Sequence, residues 1–288
     1  MDDLVLYEQP ADAIARVVLN RPMRRNAQDT DLLYALNDAL DRAATDDAIK
    51  VVILAARGDH FSAGHDVKEA DYPAAMARHP TVLPLGGFDA AGARAQYARE
   101  QEIYTGFCER WRNLPKPTIA AVQGACIAGG LMLAWPCDLI VASADAVFMD
   151  NTVGMGVGGA EYFVHPWELG VRKAKELLFT GDTWTAEEAH RLGMVNHVVE
   201  RDRLEDFTLE LAGRIARKPA FALQLVKEAI NAAEDGQGRL QAIKLAFGLH
   251  HLAHSHNRLV HGDLIDPGGV AGNVGRVPLA MVRPGKAK

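Results

Sequence analysis

The chain has 288 residues, of which 49% are hydrophobic, and a formal net charge of −6. That is enough apolar material for one sizeable core, and the acidic balance argues against a nucleic-acid or membrane-surface role, which needs a basic field. The acidic start Met1-Asp2-Asp3 lacks a signal-peptide pattern, no apolar run reaches the roughly 20 residues that span a bilayer, and Cys108, Cys126 and Cys137 lack metal-like spacing, so a reduced, cytoplasmic setting is expected.

In chain order, Arg16 to Leu19 reads as a strand that stops at Asn20-Arg21-Pro22. Thr30 to Ala44 has helical periodicity, with Leu32, Leu33, Leu36 and Leu40 on one face. Val51 to Ala55 is the next strand. Residues 69–100 hold several prolines and little periodicity, and read as a long loop or variable insertion that shapes specificity. Glu102 to Asn113 looks helical and ends before Pro115-Lys116-Pro117. A strand at Thr118–Val122 follows, then a helix from about Gly129 to Trp135. Short strands are expected at Asp138–Ala142 and Ala146–Met149, helices at Trp167–Thr180 and Thr185–Leu192, and a strand at Val195–Val199. From Leu204 the pattern is helical in three segments, and residues 262–288 read as a flexible Gly- and Pro-rich tail. Strands alternating with helices imply a layered, mainly parallel α/β core over residues 1–203, followed by a helical region over 204–261.

Two glycine-centred turns carry the strongest signal. They are Gly58-Asp59-His60-Phe61-Ser62-Ala63-Gly64-His65-Asp66 and Gly124-Ala125-Cys126-Ile127-Ala128-Gly129-Gly130. Each follows an apolar strand and leads into a helix start. Such turns can present backbone N–H groups to a cavity. Two of them facing one pocket would form an oxyanion hole, in which a single donor is worth about 2.7–4 kcal/mol.

These turns, together with Leu19-Asn20-Arg21-Pro22, Asn26-Ala27, the run Pro115 to Gly124, Cys137-Asp138, Phe179-Thr180-Gly181 and Leu192-Gly193-Met194-Val195-Asn196, resemble the crotonase (enoyl-CoA hydratase/isomerase) superfamily. The resemblance runs from about residue 4 to residue 231. It implies a spiral of strand–strand–helix turns with a C-terminal helical region used in trimerisation. It implies an acyl-CoA thioester substrate, a homotrimer or dimer of trimers, and no cofactor beyond the coenzyme A carried by the substrate. By motif position the thioester oxygen would sit between the N–H groups of His65 and Gly129. The CoA portion would lie along Ala63 and His65, Asp66, Val67 and Lys68, with Lys68, Arg24 and Arg25 near its phosphates.

The family's hydratases use two glutamates, because water must be activated and a proton delivered. At those slots this chain has Met132 and Thr152. Isomerase-type proton transfer, which needs one carboxylate, therefore suits the residue set better than plain hydration. Glu161 is the candidate acid or base, since dienoyl-CoA isomerases and an aromatic dehalogenase of the family place an Asp in that vicinity. The competing reading puts Glu161 in the first turn of a helix, complementing its dipole. Asp150 is the weaker carboxylate candidate. Met132 would make the acyl pocket wall apolar. Thioester hydrolysis and non-catalytic acyl-CoA binding are the alternative functions.

Other features have plainer readings. Gly154 to Gly159 satisfies G-x-G-x-x-G without the strand and acidic partner of a dinucleotide site. His250 and His254 are one helical turn apart and could share a metal, but no Glu accompanies them as in H-E-x-x-H, so a solvated or subunit-facing helix is the preferred expectation and no metal is assigned. The His65 ring is expected to point away from the site, held by Asp66. Cys126 lacks a visible base partner.

Overall fold

Runs of β-branched and small apolar residues become strands, and these fall into two sheets. The computed structural model describes residues 3–69 and 71–269. Its strands are β1 (Val5–Ala11), β2 (Ile14–Leu19), β3 (Val51–Ala56), β4 (Thr118–Val122), β5 (Ala125–Ile127), β6 (Leu139–Ser143), β7 (Val147–Met149), β8 (Thr183–Thr185) and β9 (His197–Val199). The larger sheet has the order β1-β2-β3-β4-β6-β9, antiparallel at β1–β2 and parallel elsewhere. The smaller sheet is β5-β7-β8. Val52 pairs with Thr118 and Ala120 with Ile140, so the parallel strands stack turn upon turn. Two of these turns place one strand in the large sheet, a short strand in the small sheet and then a helix: β4-β5 before α5 and β6-β7 before α6. This is the spiral α/β architecture expected from the sequence.

The helices are α1 (Thr30–Thr45), α2 (Tyr72–Met76), α3 (Ala93–Glu100), α4 (Phe107–Arg112), α5 (Leu131–Ala134), α6 (His165–Leu169), α7 (Val171–Thr180), α8 (Ala186–Leu192), α9 (Leu204–Ala216), α10 (Ala220–Asp235) and α11 (Arg239–His261). Helix α1 starts where Asp29 accepts the Leu32 N–H at 2.9 Å, and it buries Leu32, Leu33, Leu36 and Leu40 in the main core. On the opposite face of the sheet, Leu204, Leu211 and Ala212 of α9 pack against Ile14, Val51, Ile53 and Val141. Both faces are covered, which is what parallel strands require. Helices α10 and α11 leave Phe221, Ile230, Leu249 and Leu252 exposed.

Several expectations change. Strand β1 is unforeseen because it is a half-exposed edge carrying Pro10, which only an edge tolerates. Residues 69–100 contain α2 and α3, so they are not a simple loop. Helix α3 continues through a π-helical turn at Gln101–Gly106 into α4, and the predicted Glu102–Asn113 helix is the end of a longer one. A buried carboxylate fixes that turn, since Glu102 accepts from the Tyr34 hydroxyl at 3.1 Å and the Leu83 N–H at 2.9 Å. The predicted Trp167–Thr180 helix is two helices, broken at Gly170 with φ +71°. In the expected tail, residues 262–269 fold back, with the Asp266 N–H donating to Met155 O at 2.9 Å. The rest of the tail, 270–288, lies outside the described residues.

The two turns are bound to each other by main chain. Phe61 N–H donates to Gln123 O at 2.8 Å, Ser62 N–H to Ala125 O at 3.1 Å, and Ile127 N–H to Ser62 O at 3.0 Å. Gly124 makes this crossing possible: its φ is +55°, and a Cβ there would stand 2.1 Å from Asp59 O. Gly124→Ala is expected to cost roughly 2–5 kcal/mol through overpacking and left-handed backbone strain combined. Urea unfolding checks this, and a loss under about 1 kcal/mol would show that the turns tolerate separation.

Candidate active site

The first turn places its residues by a small set of polar contacts. Ser62 Oγ donates to Asn26 O at 2.9 Å and accepts the Gly64 N–H at 3.2 Å. Asn26, at φ +51°, donates through Nδ2 to Arg57 O and His60 O at 3.0 and 2.9 Å. Gln28 brackets the turn: its N–H donates to Gly64 O, and its carbonyl accepts the Asp66 N–H. Arg21 pairs with Asp66 at 3.1 Å and with Asp29 at 2.9 Å. Gly64, at φ +91°, allows close approach to the second turn, because a Cβ there would lie 2.8 Å from Ile127 O and 3.3 Å from the Gly129 nitrogen. The main chain of His65 therefore follows a glycine packed on Gly129. Gly129 itself lies in the first turn of a short 3₁₀ segment, where N–H groups have no partner one helical turn earlier.

The His65 ring does not point away. It stacks on Tyr104 at a centroid distance of 4.0 Å, and a Cβ on Gly129 would meet its Cε1 at 2.6 Å. Its Nε2 lies 3.1 Å from Glu161 Oε2. Asp66 is committed to Arg21, so it does not hold the ring. Glu161 is buried and precedes α6 by four residues, so the helix-dipole reading fails: it belongs to no first turn. His250 Nε2 stands 3.4 Å from Glu161 Oε1. Burial alone would raise this carboxyl, but His65 and His250 outweigh it and hold it well below the usual carboxylate range.

These groups line a cavity of about 400 Å³. Of the sequence-derived site residues, His65, Asp66, Val67, Thr152 and Glu161 line it. Gly129 lies directly behind the His65 ring. Ala63 is in the same turn, half-buried, and Lys68, Arg24 and Arg25 are exposed on adjoining segments. Met132 is buried in the core, its carbonyl accepting from the Cys108 thiol at 3.2 Å, so it is not part of the cavity wall.

The sequence reading missed Glu100, Tyr104, His250 and His254, all of which line the cavity. The α11 histidines are neither solvated nor on a free face: His250, His251 and His254 are buried. Their i, i+4 spacing was visible, but its direction depends on how α11 crosses the spiral. The glycine-rich loop 154–159 helps set that crossing, since Gly159 O accepts from His250 Nδ1 at 2.8 Å and Gly156 O from Asn257 Nδ2 at 3.1 Å. It is a docking loop for α11. Cys126 is fully buried, and burial pushes its thiol far up, which suits an inert core residue.

Asp150 has a positioning role. Its carboxylate accepts the Thr152 hydroxyl at 2.6 Å and the Ala160 N–H at 2.9 Å, and meets His165 Nε2 at 2.8 Å. It thereby fixes the residue just before Glu161. Burial raises this carboxyl, yet the bond to His165 and the donors from Thr152 and Ala160 bring it below its ordinary value.

The chain matches the enoyl-CoA hydratase/isomerase family model over residues 9–81 and 86–262. It is 45% identical over 274 residues to EchA13 of Mycobacterium tuberculosis (strain ATCC 25618 / H37Rv), a candidate enoyl-CoA hydratase, spanning 93% of this chain and 86% of that one. A crystal structure described as a probable enoyl-CoA hydratase from Mycobacterium smegmatis superposes with a TM-score of 0.82 at 47% identity, covering 91% of this chain and 98% of the other. A monofunctional enoyl-CoA isomerase from M. smegmatis superposes with a TM-score of 0.64 at 28% identity, covering 83% and 99%. The fold and the paired turns define a crotonase-type enzyme. The chain belongs to the enoyl-CoA hydratase/isomerase family.

Asp150→Asn is expected to destabilise the protein by about 1.5–3 kcal/mol at neutral pH, since it removes a buried charged acceptor from Thr152, Ala160 and His165. A depressed carboxyl contributes stability above its unfolded pKa, near 4, and loses it as pH falls through the folded value. Urea unfolding from pH 3 to 7 should therefore show a flatter acid limb in the variant. A loss below about 1 kcal/mol would mean that the pair does not hold the segment before Glu161.

Proposed function

We propose that this enzyme transfers a proton at the carbon next to the carbonyl of a CoA thioester, in the manner of an isomerase. The observation that carries this reading is the contact between Glu161 and His65, which joins a buried carboxylate to the first of the two paired turns. In this reading the N–H groups of His65 and Gly129 stabilise the enolate oxygen, and Glu161 accepts and returns the proton. Its ionised resting form is the form a proton acceptor needs.

Water addition by the two-glutamate route is disfavoured because Met132 and Thr152 occupy the family's glutamate slots and neither is acidic. Thr152 spends its hydroxyl on Asp150. Of the other carboxylates at the cavity, Asp66 is paired with Arg21, and Glu100 is engaged by Gln96 at 2.9 Å and lies across His250 from Glu161. The exposed cations Arg24 and Lys68 suit the CoA phosphates. The exposed apolar positions of α10 and α11 suit the trimer contact implied by the family resemblance.

The test is mass spectrometry of acyl-CoA thioesters incubated with the protein in deuterated, heavy-oxygen water. Deuterium without heavy oxygen is expected on an intact thioester. Glu161→Gln should slow that exchange roughly 10²–10⁴-fold. Undiminished exchange in the variant would remove Glu161 from the role. Heavy oxygen in the thioester would mean hydration, and heavy oxygen in a released acid would mean hydrolysis. Binding without any conversion would mean a non-catalytic acyl-CoA protein.

A further inference from the structure

His250 and His254 sit one turn apart on α11, and Glu100 closes α3 opposite them. One ligand-capable atom from each lies within 4.8 Å of the other two, and all three residues are buried. The hydrogen bonds around the rings fix which nitrogen is available. His250 Nδ1 is 2.8 Å from Gly159 O, and His254 Nδ1 is 2.7 Å from Leu264 O. Only a ring N–H can face a carbonyl oxygen, so Nδ1 is committed to that bond on both rings and Nε2 is the nitrogen left for a metal. Donation from the outer nitrogen to a backbone carbonyl is how proteins orient imidazoles that bind metal.

His250 Nε2 and Glu100 Oε2 make no hydrogen bond, although their side chains are only 4% and 6% exposed, and they stand 3.9 Å apart. That is too long for a hydrogen bond. It is close to the separation of about 3.4 Å between two ligands on one tetrahedral zinc ion. The Glu100 carboxylate is held from outside by Gln96 Nε2 at 2.9 Å on Oε1 and by His251 Nε2 at 3.2 Å from Oε2. A second buried carboxylate, Glu161, lies 3.4 Å from His250. A divalent cation would offset this concentration of negative charge.

We propose that Glu100, His250 and His254 bind one divalent transition-metal ion of the zinc class. Two imidazoles and a carboxylate suit zinc, and three protein ligands leave a tetrahedral ion's fourth position to water or to a cavity ligand. The histidines come from one helix at i and i+4, while the acidic ligand comes from a helix about 150 residues earlier in sequence, a separation readable from the residue numbers. The site does not depend on the proton-transfer reading and is measured without substrate.

The experiment uses the untagged full-length chain, equilibrium dialysis against Zn²⁺ with elemental analysis, and titration with Co²⁺ followed by visible absorption. One ion per chain is expected. His254→Ala should weaken binding by roughly 10–100-fold or more, whereas replacing the exposed His256 should leave it unchanged. Absence of binding, or equal binding by His254→Ala, would overturn the site. Should that variant misfold by circular dichroism, X-ray absorption on the zinc-loaded native chain decides. Two imidazoles with a carboxylate would support the site, and a thiolate or a single imidazole would refute it.

Discussion

The main-chain crossing at Ser62 is the constraint on which the rest of this molecule depends. Ser62 pairs in register with Cys126, so the first turn of the spiral is bonded directly to the second. The crossing needs a left-handed glycine at 124 and a second one at 64, because any Cβ would strike a carbonyl oxygen. Once made, it sets Gly64 on Gly129 and carries His65 over the same point. The large parallel sheet supplies rigidity behind it, with α9 and α1 covering its two faces. An array of oriented N–H groups has catalytic value only if it is held before the substrate arrives, and here the turns are held by backbone bonds together with the buried side chains of Ser62 and Asn26.

On that backbone platform the chain assembles an unusual density of buried ionisable groups. Glu161 and Glu100 share one region with His65, His250, His251 and His254. Each carboxylate would be raised by burial alone, and each is instead kept low by neighbouring imidazoles. The arrangement costs desolvation energy, so every outer hydrogen bond matters. Gly159 O and Leu264 O orient two of the rings, Gln96 orients Glu100, and Asp150 fixes the chain before Glu161. The proposed proton-transfer centre and the proposed metal cluster meet at His250, which faces both carboxylates.

Much of the scaffold was legible in the sequence because its signals are local. The apolar runs of β3 and β4, the leucine spacing of α1, the two glycine turns and the three C-terminal helices depend on neighbouring residues alone. Short or edge elements were not readable: β1 is an edge strand carrying Pro10, and β5 has three residues and follows directly from the glycine turn. The segment 69–100 looked irregular because its two helices are short, five and eight residues.

The sequence by itself determined the family, the paired turns and Glu161 as the candidate acid, since backbone conformation and motif order are written in consecutive residues. Only the tertiary structure decided what surrounds that acid. It turned the His65 ring onto Glu161, removed Met132 from the cavity, made Asp150 a brace and brought Glu100 to the α11 histidines. The meeting of Glu100 with the histidines depends on where α3 and α11 cross the spiral. That crossing is set by packing and by hydrogen bonds between residues far apart in the chain, for which no local pattern exists.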